Sequence, residues 1–313
     1  MKVLSIFLIG GAGFIGSHLV SAFARNGWRM FVIDQIENPF RKHQTMEFYK
    51  IKLPNSKLGQ LLKEHRPNFL VFAAGTADVR ASMKNPYEDF STSTDLYFWT
   101  IDQVRCFSPE TKVIFLSSAA VYGNPEALPV KEADPVRPIS PYGYHKLFCE
   151  RISAECSSIY NMEITSFRIF SAFGPGLRRQ VVWDIANKII SSYDNCIVLR
   201  GTGTESRDFI SVEDISSIIS RFVETNKKVP PIMNMASGTE TTILKLSTII
   251  SKLLGGNKTI SFSGQEDPGM PIRWQADVSL LKSTGLFLCE DINIRLQKTI
   301  EWIKEERSRS QFI

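Results

Sequence analysis

The stretch GGAGFIGSH at residues 10–18 constrains this chain more than any other feature. Its glycines fit G-x-G-x-x-G through Gly11, Gly13 and Gly16, and G-x-x-G-x-x-G through Gly10, Gly13 and Gly16. A tight turn after a strand needs residues without Cβ, and so does a backbone that must approach a pyrophosphate closely. A helix that follows such a turn aims its N-terminal amides at the anion. The flanking sequence agrees. Residues 3–9 read as a buried strand, 17–26 as a helix closed by Gly27, and 29–33 as a second strand ending on Asp34. Asp34 stands where this motif wants a carboxylate for the adenosine ribose hydroxyls. A carboxylate there repels a 2′-phosphate, so NAD is favoured over NADP; Arg41 and Lys42, a little later, pull the other way. Asp34 as a plain turn residue stays open. A signal peptide is the rival reading of the opening, with Lys2, the apolar residues 3–9 and small residues at 21–24. Glycines at fixed spacing inside the apolar segment count against it.

Four more apolar runs follow, at 47–51, 68–74, 112–117 and 163–170, with segments of helical length between them. Strands alternating with helices imply right-handed crossovers, hence an α/β chain with a Rossmann-type doubly wound parallel sheet. Ligands in such sheets bind beyond the carboxyl ends of the strands. Those ends are 10–16, Asp34, 73–75, 117–118 and 171–174. After about residue 175 strands become scarcer, and helical stretches joined by Gly/Pro loops take over. The expected division is an NAD-binding domain over 1–175 and a smaller mixed substrate lobe over 176–313, with room for some segments to return to the main sheet. Ser211 and Asp214 resemble a capping box with Asp in place of Glu or Gln, ahead of a core stripe at Ile215, Ile218, Ile219, Phe222 and Val223.

Bulk properties exclude several classes. With 313 residues and 43% hydrophobic content, a substantial core is expected. The net charge of +5 is too small and scattered to argue for nucleic acid. Five cysteines, with no CxxC or Cys/His cluster, point to reduced thiols in a cytoplasmic protein and no metal site. No stretch approaches the ~18–20 apolar residues of a membrane span.

The chemical residues lie in SPYGYHK at 140–146 and SSAAVYG at 117–123. Tyr142 and Lys146 stand four apart and so share a helix face. A lysine cation beside a phenol favours the phenolate, and such a phenol can give or take a proton at a hydroxyl or carbonyl. Ser118, at a strand's carboxyl end, is placed either to hydrogen-bond a reacting oxygen or to satisfy its own backbone.

With these motifs in order, the chain resembles an extended short-chain dehydrogenase/reductase of the nucleotide-sugar epimerase, dehydratase and reductase branch. Further matches are AAG at 73–75, FRIFSAFGPG at 167–176, GTGTESRDFISVEDI at 201–215 and PIRWQADVS at 271–279. The resemblance implies that Gly10, Gly13, Phe14, Ile15, Gly16, Asp34, Ala73, Ala74, Gly75 and Phe170 hold the cofactor. Tyr142 is then the acid/base, Lys146 holds the nicotinamide ribose, and Ser118 contacts the reacting sugar oxygen. Ser171 lies by the substrate, Arg207 grips the nucleoside diphosphate, and Arg273 is a second candidate. For Arg207 the competing reading is an ion pair with Asp208 or Asp214.

Departures from the family pattern narrow the chemistry. Ala119 and Ala120 replace the Asp-Glu of the dehydratases, which removes the groups for water elimination. A histidine is missing near Val71, an acidic residue near Ile51 and Lys52, and an arginine at Asp267. The usual asparagine–glycine–threonine reads Ser93-Thr94-Asp95-Leu96-Tyr97. His18, His43, His65 and His145 are read as neither ligands nor bases. The leading expectation is an NAD-dependent C4 epimerase of a nucleoside-diphosphate sugar. A reductase of a 4-keto-6-deoxy nucleotide sugar uses the same Ser-Tyr-Lys set, and a non-catalytic dinucleotide sensor is the remote alternative. The resemblance further implies a homodimer formed through two helices per subunit, one carrying Tyr142. It also implies a product destined for polysaccharide biosynthesis.

Overall fold

The computed structural model describes residues 4–39, 44–256, 258–265, 269 and 271–310. Arg41, Lys42, His43 and Asp267, which the sequence analysis singled out, lie outside the described residues. The first half runs β1 (Ser5–Ile9), α1 (Phe14–Arg25), β2 (Arg29–Asp34), β3 (Met46–Lys50), α2 (Lys57–His65) and β4 (Phe69–Phe72). It continues with α3 (Val79–Lys84), α4 (Pro86–Phe90), α5 (Leu96–Phe107), β5 (Lys112–Ser118), α6 (Pro141–Tyr160), β6 (Ile164–Ile169) and β7 (Ser171–Phe173). The second half runs α7 (Gln180–Ser191), β8 (Cys196–Leu199), β9 (Ser206–Ser211), α8 (Val212–Thr225), β10 (Ile232–Met235) and β11 (Glu240–Thr242). It ends with α9 (Ile243–Leu253), β12 (Thr259–Phe262), α10 (Ser279–Ser283) and α11 (Ile292–Ser310).

Seven parallel strands form the main sheet in the order β10-β6-β5-β4-β1-β2-β3. Strand side chains alternate between the two faces, and both faces are covered, so the middle strands β1, β2 and β4 carry unbroken apolar runs. Ile6, Leu8, Met30, Val32, Val71 and Ile114 face α1 and α8, packing on Leu19, Phe23, Ile215, Ile219 and Phe222. Phe7, Ile9, Phe31, Ile33, Phe72 and Phe115 face α2, α5 and α6, against Leu58, Leu62, Tyr97, Ile101 and Cys149. A separate core joins α7, β8, α9 and α11 through Val182, Ile185, Leu199, Leu246, Ile250, Leu296 and Ile300.

One detail differs from the sequence expectation, and one that it left open is decided. The first helix begins at Phe14, three residues earlier than the apolar pattern implied, because Gly13 is its N-cap and the last glycine of the motif is already helical. The main sheet also gains its outermost strand from the second half: β10 pairs with β6, Met233 opposite Phe167. Its four residues include Asn234, which breaks the apolar run. The structure buries that side chain completely and satisfies it: Nδ2 donates to Val130 O at 3.0 Å and Asp277 O at 3.2 Å, and Oδ1 accepts from the Tyr122 hydroxyl at 2.7 Å. The remaining strands of the second half are short. Two of them join β7 of the first half in a three-stranded sheet, β11-β9-β7, and two form a two-stranded one, β12-β8. The helix start at Ser211 holds: its Oγ accepts from Asp214 N at 3.0 Å. The Asp214 carboxylate, however, faces Arg295 on α11 and so ties the last helix to α8.

Candidate active site at the carboxyl edge of the sheet

The glycine loop is built by steric exclusion. Gly10 has φ +79°, and a Cβ there would sit 2.6 Å from Ala74 N. A Cβ on Gly16 would lie 2.3 Å from Gly10 O. The turn after β1 therefore presses against Ala73 and Ala74, and the first turn of α1 against that turn, with no room for side chains. Gly13 caps α1 with no side-chain hydrogen bond, so the first amides of the helix are left for an anion. Asp34, ending β2, reaches over this loop: Oδ2 accepts from Ala12 N at 2.9 Å and Oδ1 from Gln35 N at 2.7 Å. The cradle fits a dinucleotide, with a pyrophosphate on the helix end and a carboxylate beside it for a ribose.

Ser118, Tyr142 and Lys146 gather at the neighbouring strand end. Ser118 is the last residue of β5 and pairs in register with Ile169, which places it next to Phe170. Its Oγ accepts from Ala120 N at 3.2 Å, capping a single 3₁₀ turn over Ala119–Tyr122. Accepting that bond leaves the hydroxyl proton available for a substrate oxygen. The local backbone bond is thus made without spending the proton that a reacting oxygen would need. Tyr142 enters on the first turn of α6, which is capped by Ser140. Its backbone N–H donates to Ser82 Oγ at 3.2 Å. Lys146 is buried and donates to Leu116 O at 2.9 Å, with Nζ 5.8 Å from the centre of the Tyr142 ring.

The small-sheet side supplies the two arginine candidates, in different states. Arg207 is buried. Its guanidinium donates to Ser206 O at 2.8 Å and Ile272 O at 3.3 Å, and lies 5.6 Å from the Trp274 ring. Burial pulls it down to about 10, so it stays charged at neutral pH. Among the described salt bridges none involves Arg207, and neither expected carboxylate is its partner: Asp214 holds Arg295, and Asp208 turns away. The Asp208 carboxylate accepts from Ser237 N, Ser237 Oγ, Gly238 N and Ala276 N at 2.7–3.2 Å. Arg273 is exposed and forms a two-pronged pair with Glu240, both contacts at 2.8 Å. Ser171 opens β7 opposite Phe209, beside Arg207 and Asp208 on β9.

Two functional contributors escaped the sequence. Trp274 spans the gap between the cofactor and phosphate candidates. Its ring meets Phe170 edge-on at 5.9 Å, and Nε1 donates to Gly123 O at 2.9 Å. The signal was present, since Trp274 follows Arg273 in a quoted motif, but an isolated Trp reads as core. The second is a buried polar network beneath Ser117 and Ser118. Arg168 pairs with Glu150 through two bonds of 2.8 and 3.0 Å and donates to the Tyr122 hydroxyl; Ser117 Oγ donates to Glu150 at 2.7 Å. Burial alone would lower the Arg168 guanidinium, but the Glu150 carboxylate more than offsets this and holds it above its usual value. The unusual segment 93–97 is likewise occupied: Thr94 Oγ1 donates to His145 O at 3.2 Å, and the Tyr97 hydroxyl lies 2.6 Å from Ser153 Oγ.

The chain matches the NAD dependent epimerase/dehydratase family over residues 6–236. It belongs to that family. It is similar to a UDP-N-acetylglucosamine 4-epimerase from Methanobrevibacter ruminantium M1, solved in complex with UDP-N-acetylmuramic acid. That similarity has a TM-score of 0.88 and 27% identity, over 98% of this chain and all of the other. A rice UDP-glucose 4-epimerase is 27% identical over 302 residues, 85% of this chain and 84% of the relative. The fold is shared with a Thermus thermophilus UDP-glucose 4-epimerase in complex with NAD, with a TM-score of 0.85 and 22% identity over 96% of this chain and 99% of that one. NAD is the cofactor of this family, and the glycine cradle has the shape to take a dinucleotide.

Proposed function

We propose that the chain interconverts the C4 epimers of a UDP-sugar, with Ser118, Tyr142 and Lys146 as its catalytic set. The observation that carries this reading is their convergence on one strand end, between the glycine cradle and the buried Arg207, which has no carboxylate partner among the described salt bridges. Arg207 takes the substrate diphosphate, for which a planar guanidinium is suited. Trp274 and Phe170, in edge-to-face contact, form one wall of the sugar site. Tyr142 removes the proton from the sugar 4-hydroxyl while Ser118 donates a hydrogen bond to the same oxygen. Lys146 is held by Leu116 O with its Nζ beside the phenol ring. NAD, when bound, supplies the acceptor and donor of the C4 hydride. The 4-keto sugar then turns over in the cleft, and Tyr142 returns its proton to the oxygen on the other face. Ala119 and Ala120 add no acid or base, in keeping with a reaction that eliminates nothing.

The reading extends to a homodimer. α5, α6 and the segment before them expose Tyr87, Phe90, Phe98, Tyr144, Phe148, Ile159 and Tyr160, an apolar surface suited to a second copy of the same helices. Its free thiols are in keeping with a reducing cytoplasm. The test is to denature the purified protein, identify the released nucleotide, and assay UDP-hexose interconversion without added cofactor. Near-stoichiometric NAD(H) and turnover of UDP-glucose or UDP-N-acetylglucosamine are expected. A protein that retains no cofactor, but oxidises NADH or NADPH against a 4-keto nucleotide sugar, is a reductase instead.

A further inference from the structure

A chain of polar groups, buried at Asp89 and His145, runs from Thr76 at the exposed end of the 73–75 loop to the helix of Tyr142. Thr76 Oγ1 donates to Asp89 Oδ1 at 2.9 Å, and Asp89 Oδ2 meets His145 Nδ1. Asp89 is 4% exposed and His145 8%. The three residues come from three segments: the loop after β4, helix α4, and α6 one position before Lys146. The same two residues are anchored by their backbones, since Ser93 Oγ donates to Asp89 O and Thr94 Oγ1 to His145 O. The π-helical turn over Ser91–Asp95 packs Ser93 against Gly75, where a Cβ on the glycine would lie 3.5 Å from the serine Cβ. The Phe90 ring closes on the imidazole edge-on at 5.4 Å.

A buried carboxylate is a costly way to join two helices, and an apolar pair would do it more cheaply. A carboxylate offers something an apolar residue cannot: two acceptor oxygens aimed in fixed, different directions. One holds the loop that follows Ala73–Gly75; the other holds the residue beside Lys146. We propose that Asp89 and His145 are positioning residues, which set the 73–76 loop of the NAD site in register with Tyr142 and Lys146. This rests on the cofactor reading above. Neither side chain gives or takes a proton in turnover. They act through Thr76 on one side and through the backbone of α6 on the other.

The experiment uses the full-length enzyme and the variants Asp89→Ala, Asp89→Asn, Thr76→Ala and Thr76→Ser. NAD(H) released on denaturation, the Kd for NAD, and kcat and KM for the UDP-sugar are measured for each. Asp89→Ala is expected to weaken NAD at least tenfold and lower kcat by a similar factor, with KM for the UDP-sugar within twofold of wild type. Asp89→Asn keeps an acceptor for Thr76 and recovers most of the loss. Should Asp89→Ala fail to fold, the Thr76 pair carries the test: Thr76→Ala weakens NAD, and Thr76→Ser, which keeps the hydroxyl, restores it. Wild-type NAD affinity and kcat in Thr76→Ala and in folded Asp89→Ala, with only a lower Tm, would overturn the proposal. A wild-type protein that neither retains nor binds NAD removes the cofactor reading itself, and this inference with it.

Discussion

At the scale of single residues, the edge of the sheet separates side chains that do chemistry from side chains that make room. Tyr142→Phe keeps the ring and removes only the acid/base. Turnover should fall by about 10²–10⁴-fold while the NAD(H) released per chain stays at the wild-type level; the pair of assays is steady-state epimerisation and nucleotide content. Arg207→Met removes a charged donor that has no carboxylate partner among the described salt bridges. A hydrogen bond to a charged group is worth about 1.5–3 kcal/mol, so KM for the UDP-sugar should rise about 10- to 150-fold, read from initial rates with NAD content unchanged. Gly10→Ala is different in kind. It strains a backbone at φ +79° and drives a methyl into Ala74 N, so it should both lower Tm and empty the cofactor site. The glycines, Asp34, Tyr142 and Lys146 were legible because each has a local signature: a spacing, or a strand end. Trp274, Asp89 and His145 were not, because what matters about them is a contact made by residues far away in sequence.

Between elements, buried polar groups decide how strands and loops are tied. Asp208 joins β9 to the 237–238 loop and to the 276 strand bridge, and burial pushes its carboxyl up to about 6 despite four donors. The unfolded value lies near 3.9. Between these values the folded chain holds a proton that the unfolded chain has released. Asp208 therefore adds stability as pH falls from 7 through 6 toward 4, up to about 3 kcal/mol, and nothing further below that. Denaturant unfolding of wild type and Asp208→Asn at pH 7 and pH 4.5 should show the difference between them shift toward wild type at the lower pH. The Glu150–Arg168 pair works in the opposite sense, as a bond that is costly to break. Glu150→Gln leaves a buried guanidinium without its counter-charge and should cost about 3–5 kcal/mol in the same measurement.

At the scale of the molecule, the exposed aromatics on α5 and α6 are the surface to test. Tyr144 and Phe148 stand one helical turn apart with ring centres 6.3 Å from each other. Tyr144→Asp with Phe148→Asp should convert a dimer to a monomer in light scattering, with the far-UV circular dichroism unchanged. The two halves of the chain are also joined more closely than a simple boundary at 175 implies. β10 completes the main sheet and α8 covers one of its faces. The segment around 272–276 bridges back to Val130 and Ser206.

Sequence alone determined the alternation of strand and helix, the glycine cradle, the acidic end of the second strand and the Ser-Tyr-Lys set. These depend on spacing, chirality and the absence of Cβ, all of which are local. Only the tertiary structure decided which arginine is kept free of carboxylates, which strand returns to finish the sheet, and how a histidine with no evident task is tied to Asp89. Each of these turns on burial and partner choice between distant segments, and such pairings leave no period in the sequence to read.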